Sequence, residues 1–206
     1  MNDRGTVGTN SYHRPKLSNE GLRPTHSVDA VDEYGESRAL RVAGEFPLTI
    51  KVDDAEIVTL MSIGTHPEKL ALGYLRNQRL IDEIGEIAEV RVDWKREIAD
   101  VRTTHGNGIA NLNEKTSKRM VTSGCDQGTI FSCSLDALYE VVLPKVKIKQ
   151  SQVYALLKNI AGYNQIYREA GAVHGCALCQ GPEILYFVED VGRHNATDAI
   201  AGEMWL

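Results

Sequence analysis

Between Leu40 and Val52 the apolar residues fall at every second position. Leu40, Val42, Phe46, Leu48, Ile50 and Val52 alternate with polar neighbours, with breaks at Gly44 and Pro47. A period of two belongs to half-buried strands and is incompatible with a helix. A strand buried on one face needs paired neighbours and something to cover it, so this stretch commits the chain to a sheet with a second layer. Glu56 to Met61 supplies the next strand after Asp53-Asp54, a good turn pair. Ile87 to Val92 and Ile98 to Val101 repeat the same alternation.

Elsewhere the period lengthens. Thr65-His66-Pro67-Glu68 predicts a helix start, with Thr65 as N-cap and Pro67 and Glu68 in the first turn. Leu70, Leu72, Tyr74 and Leu75 give that helix its apolar face, and it should fade near Asn77. Val153, Leu156, Leu157 and Ile160 stand at helical spacing, with Ser151 as a candidate cap. Leu138 to Val146 is apolar, but Pro144 argues against a helix through it. Glu183 to Val188 reads as a strand covered on both faces, and Ala196 to Ile200 begins a further helix. Helices alternating with mixed strands define an α/β (α+β) sandwich built on a mixed sheet.

Residues 1–37 mix Gly, Ser, Thr, Asn, Pro and charges without an apolar period and read as a disordered tail, so order is expected from residue 38. The remaining residues, 42% hydrophobic over the whole 206-residue chain, suffice for a real core. A formal net charge of -5 offers no field for nucleic acid or an acidic membrane face. The N-terminus lacks the apolar core of a signal peptide, and no apolar run is long enough to span a bilayer. The expected compartment is the cytoplasm. There the four cysteines, Cys125, Cys133, Cys176 and Cys179, should be thiols, metal ligands or transient redox groups.

Three constellations could carry chemistry. Cys125 stands between Gly124 and Gly128 after a polar loop (Thr103 to Lys118), where the missing Cβ atoms let a bulky partner approach the sulfur. Glu189-Asp190-Val191-Gly192-Arg193-His194-Asn195 lies in the turn between a strand and a helix start, where free N–H groups and the helix dipole favour phosphate. In the plainer reading Asn195 merely caps the helix and Asp190 pairs with Arg193. The third constellation is His174 to Cys179. It contains one ligand couple where structural zinc sites use two, and Cys176 stands where a zinc deaminase would place glutamate. Small thiols buried at a helix start, with His174 lining the site, are the simpler account.

The run Glu189 to Ala196, together with Gly171-x-x-His174 and Ser123-Gly124-Cys125, resembles the FdhD family of sulfur carriers. Glu45-Phe46-Pro47-Leu48 and Leu72-Gly73-Tyr74-Leu75 are similar to it as well, so the resemblance runs from about residue 38 to the last. It implies a cytidine deaminase-like core without the catalytic zinc, at about residues 119–206, after a small β-rich part at about 38–118. It also implies a sulfurtransferase-type role as a sulfur carrier required for formate dehydrogenase. Sulfur would be accepted from a cysteine desulfurase as a persulfide on Cys125 and passed to the molybdenum cofactor in its bis-molybdopterin guanine dinucleotide form. His174, Asp190, Arg193, His194 and Asn195 would line or support the cofactor site, in a homodimer with no metal of its own. The chain departs from the family in two places. Cys125-Asp126-Gln127-Gly128 keeps only the first thiol of the family's Cys-Gly-x-Cys pair, and the family's C-terminal part is missing. A zinc-dependent deaminase or hydrolase and a non-catalytic cofactor or enzyme chaperone are the competing readings.

Overall fold

The structure is a computed structural model that describes residues 14–112, 115, 119–121, 129–131 and 141–206. Its largest sheet has five strands in the order β1 (Lys16–Leu17), β6 (Ile87–Asp93), β7 (Ile98–Thr103), β4 (Phe46–Val52) and β5 (Ala55–Ser62). The sheet is mixed: β1 runs parallel to β6 and β4 parallel to β7, and the other pairs are antiparallel. The alternation read in the sequence sets its faces. Leu48, Ile50 and Val52 are wholly buried, while Thr49 and Thr59 meet on the other face through their hydroxyls at 2.8 Å. The turn between β4 and β5 places Asp53 and Asp54 at φ 43° and 74°. Left-handed residues at both central positions match the twist of the flanking strands in a two-residue hairpin. The Asp53 carboxylate also accepts the amides of Thr103 (3.0 Å) and Gly108 (2.9 Å), tying the start of the following loop to the sheet.

Helix α1 (Pro67–Asn77) covers the sheet and is itself covered by α4 (Arg193–Trp205), so α1 is buried from Leu70 to Leu75 without a break. Two glycines let the helices touch backbone to backbone. A Cβ on Gly73 would sit 1.6 Å from the Asp198 carbonyl oxygen, and one on Gly202 would sit 2.0 Å from that of Lys69. A hairpin of β10 (His174–Gln180) and β11 (Glu183–Asp190) packs on α4. Helix α2 (Gln150–Ile160) lies against β11, and α3 (Gln165–Ala170) lies against the antiparallel pair β2 (Thr25–Val31) and β3 (Ser37–Ala43). β8 (Arg119–Val121) and β9 (Thr129–Phe131) form a further antiparallel pair. One hydrophobic cluster joins Leu48 and Val90 of the sheet to Leu72 of α1, Val188 of β11 and Ile200 of α4. Among the described residues no helix is long and apolar enough to cross a membrane.

Several expectations need correction. Strands β1 and β2 lie inside the expected 1–37 tail. β2 is exposed or half-buried from His26 to Val31 and no apolar alternation announces it, whereas its partner β3 carries Leu40 and Val42 of the alternation read in the sequence, with Leu40 exposed. β1 is held by side chains distant in sequence: the buried Glu68 carboxylate accepts the Ser18 hydroxyl at 2.7 Å and the Glu20 amide at 2.8 Å. The N-cap of α1 is His66 instead of Thr65, with no side-chain capping bond, and that of α2 is Lys149 instead of Ser151. Residues 165–170, a polar stretch too short to show a helical period, form α3. β11 is not covered on both faces, because Leu185 is exposed and only Val188, Glu189 and Asp190 are buried. The thiols Cys176 and Cys179 stand on strand β10, not at a helix start, and are half-buried.

Candidate functional site

The turn from β11 into α4 is built on two buried carboxylates that reach in opposite directions. Adjacent strand residues face opposite ways, and Glu189 and Asp190 use that fact. Glu189 accepts the amides of Ile166 (2.9 Å) and Tyr167 (2.8 Å), closing the first turn of α3 with an acceptor borrowed from another element. Asp190 turns inward. Its Oδ2 accepts the Ser62 hydroxyl (2.9 Å) and the Ile63 amide (3.2 Å), and its Oδ1 accepts the Gly192 amide (2.9 Å) and Asn195 Nδ2 (3.0 Å). Burial pushes the Asp190 carboxyl above its ordinary pKa, and the hydrogen bonds pull it back. Asn195 Nδ2 also donates to the Met61 carbonyl at 2.6 Å. Asp190 and Asn195 together pin the end of β5 to the first turn of α4.

The expected site residues therefore divide into two groups. Asp190 and Asn195 are buried and supporting; Asn195 does not cap α4, whose N-cap is Gly192, and Asp190 pairs with Asn195 in place of Arg193. Arg193 and His194 are exposed in the first turn of α4, and His174 is exposed at the start of β10, directly opposite Asp190 in the strand register. The turn thus presents a guanidinium and two imidazoles at one end of the hairpin, beside the N-terminus of a 13-residue helix. Such an end favours anions. Cys176, opposite Val188, has its Sγ 3.7 Å from both the Arg193 carbonyl oxygen and Thr197 Oγ1, so its thiol faces this same helix turn. Among the described residues no group of three or more His, Cys, Asp or Glu is placed to hold a metal ion. Cys125 and Cys133 lie outside the described residues; Cys125 falls in the connection 122–128 between the paired strands β8 and β9.

A second polar cluster has no counterpart among the motifs read from the sequence. Lys69 Nζ donates to the Tyr186 hydroxyl at 2.9 Å and pairs with Glu203 at 2.6 Å, joining α1, β11 and α4. The His66 ring lies 6.1 Å from that of Tyr186. Burial, reinforced by the Lys69 charge, holds His66 below the usual imidazole pKa and so neutral at pH 7. His66 borders two clefts, of about 330 Å³ and 490 Å³. His66 and Lys69 are one helical turn apart, a spacing legible in the sequence; Tyr186 and Glu203 reach them only through the tertiary fold.

These features define the class: an α+β protein with a mixed sheet, a buried acid–amide staple and an outward cationic turn. The family model described as FdhD/NarQ matches residues 43–206, and the chain belongs to that family. Relatives named sulfur carrier protein FdhD include that of Listeria innocua, 31% identical over 165 residues (78% of this chain, 62% of the relative). That of Bacillus subtilis is 30% identical over 168 residues (81% and 63%), and that of Staphylococcus haemolyticus 30% over 159 (77% and 60%). The chain thus spans between 60% and 63% of these relatives' length. A crystal structure of a candidate formate dehydrogenase accessory protein from Desulfotalea psychrophila shares the fold, with TM-score 0.61 and 20% identity, over 88% of this chain and 68% of that one.

Proposed function

We propose that the chain is a sulfur carrier serving formate dehydrogenase. It takes sulfur from a cysteine desulfurase and delivers it to the molybdenum cofactor in its bis-molybdopterin guanine dinucleotide form, as a cytoplasmic homodimer. The Cys125 thiolate attacks the terminal sulfur of the desulfurase persulfide; the new S–S bond forms as the old one breaks, and the desulfurase thiolate leaves. The Cys125 persulfide then passes its terminal sulfur to the acceptor in its reduced form: the S–S bond breaks, the acceptor gives the two electrons that take this sulfur to the sulfide level, and Cys125 leaves as a thiolate. Family membership supports the reading. The observation that carries it is the division of the β11–α4 turn: Asp190 and Asn195 hold the backbone from within while Arg193 and His194 face outward. The cofactor is a large polyanion, and an arginine at a helix N-terminus with His174 beside it suits its phosphates.

Intact-mass measurement after incubation with cysteine and a desulfurase tests the transfer. Wild type should gain one sulfur atom, and Cys125→Ser should gain none. Arg193→Ala should load sulfur normally yet bind the dinucleotide cofactor at least tenfold more weakly, the loss of one charge-assisted contact of about 1.5–3 kcal/mol. A mass gain that persists in Cys125→Ser defeats the persulfide assignment. Unchanged cofactor binding by Arg193→Ala defeats the anion-turn assignment.

A further inference from the structure

From residue 141 to residue 168 the sequence holds no aspartate or glutamate, yet it carries Lys145, Lys147, Lys149, Lys158 and Arg168. The whole chain has a net charge of -5, so its acid is concentrated elsewhere and this stretch forms a local cationic island. Residues 141–149 are neither helix nor strand, and every one of them is exposed. Val142 is 93% and Ile148 72% exposed. Single exposed apolar side chains are common, but a contiguous run of branched ones on a folded surface marks an interaction site. Lysines and apolar residues alternate here: Lys145, Lys147 and Lys149 stand at odd positions, and Val146 and Ile148 at even ones. That is the pattern of a strand with one charged and one apolar face. Among the described residues the backbone of 141–148 makes no hydrogen bond, and none of the three lysines is ion-paired.

A partner must therefore supply backbone donors and acceptors, apolar cover and carboxylates together. An anionic membrane would supply charge and apolar cover but leave the extended backbone unpaired in hydrocarbon. Nucleic acid would use the lysines and leave Val146 and Ile148 wet. A second copy meeting this chain through the same face would set lysine against lysine. We propose that residues 141–149 are a docking strand for an acidic, extended segment of a partner protein. The segment adds beside them as a β-strand, with carboxylates toward Lys145, Lys147 and Lys149. The proposal is independent of whether Cys125 carries sulfur.

The probe is a fluorescent peptide, Glu-Val-Glu-Val-Glu-Val-Glu, titrated with the full chain and followed by anisotropy. Wild type should bind it saturably, and its Lys-Val counterpart should not bind. The triple variant Lys145→Glu, Lys147→Glu, Lys149→Glu should bind at least tenfold more weakly. Methylating alternate peptide nitrogens, which removes ladder donors, should abolish binding. The lysine side chains are exposed and make no ion pair, so circular dichroism of the variant should match wild type; were it to differ, the triple Lys→Gln variant takes its place with the same expected loss. Equal affinity of wild type and variant, or of plain and methylated peptide, overturns the proposal. So does binding to phosphatidylserine vesicles in place of the peptide, or a wild-type dimer in sedimentation that the triple variant dissolves.

Discussion

Asp190 is buried and Asp198 half-buried, and their surroundings give them opposite consequences. Asp190 has four donors. Truncating it to alanine strands those donors in the core, and each buried unsatisfied group costs about 1–3 kcal/mol. Asp190→Ala should therefore lower stability by about 3 kcal/mol or more in a urea titration. Asp198 lies at the α1–α4 crossing with one partner, Asn77 Nδ2 at 2.6 Å. Burial pushes its pKa from 3.8 to about 6, against the smaller downward pull of Asn77. The folded state thus favours the protonated form. The stability from that proton is fully present below the unfolded pKa near 4 and is lost as pH rises through about 6. The loss is at most about 3 kcal/mol, since each tenfold change in proton affinity between the folded and unfolded chain is worth about 1.4 kcal/mol. Asp198→Asn, which keeps an acceptor for Asn77 without the charge, should flatten the stability profile between pH 4 and pH 6 and raise Tm at pH 7.

At the scale of elements, glycines and borrowed caps decide the packing. An alanine methyl at Gly73 or Gly202 would overlap a carbonyl oxygen that belongs to helix backbone and cannot swing away. Gly73→Ala should cost about 1–3 kcal/mol or more, as overpacking does, despite the better helix propensity of alanine. Thermal melts of Gly73→Ala beside an exposed helical control such as Lys158→Ala in α2 would separate the two effects. Helix α3 has only six residues and no side-chain cap of its own; its first amides depend on Glu189. Glu189→Ala should therefore raise hydrogen exchange at Ile166 and Tyr167 before it affects the sheet amides. The same dependence hides the helix from the sequence. A six-residue polar segment shows no period, and the group that stabilises it lies more than a dozen positions downstream.

For the whole molecule, the shared core argues that the β-rich part and the α4 hairpin part unfold together. Leu48, Leu72, Val188 and Ile200 belong to one cluster. Trp94 and Trp205 sit in the two parts and both pack against that cluster. Fluorescence of Trp94→Phe and of Trp205→Phe, each reporting the remaining tryptophan, should show transitions of similar steepness, each coincident with circular dichroism of the same variant. A separate early transition in either would mean that the parts are independent.

Residue order alone determined the sheet alternation, the burial of Leu48, Ile50 and Val52, the existence of α1, α2 and α4, and the Glu189 to Ala196 signature that marks the family. Each of these is a local pattern, and local periodicity is legible without coordinates. Tertiary structure decided which members of that signature face inward. Asp190 and Asn195 are as polar as Arg193 and His194, and only the approach of β5, bringing Met61, Ser62 and Ile63 within hydrogen-bonding reach, turns the first two into a staple and leaves the others exposed. It also decided that β1 and β2 are ordered and that α3 is a helix, because groups that satisfy them come from distant segments: Glu68 binds the Ser18 and Glu20 that follow β1, Glu169 accepts the Thr25 hydroxyl of β2, and Glu189 accepts the first amides of α3. A hydrogen bond across the fold leaves no period in the sequence, which is why those elements could not be read from it.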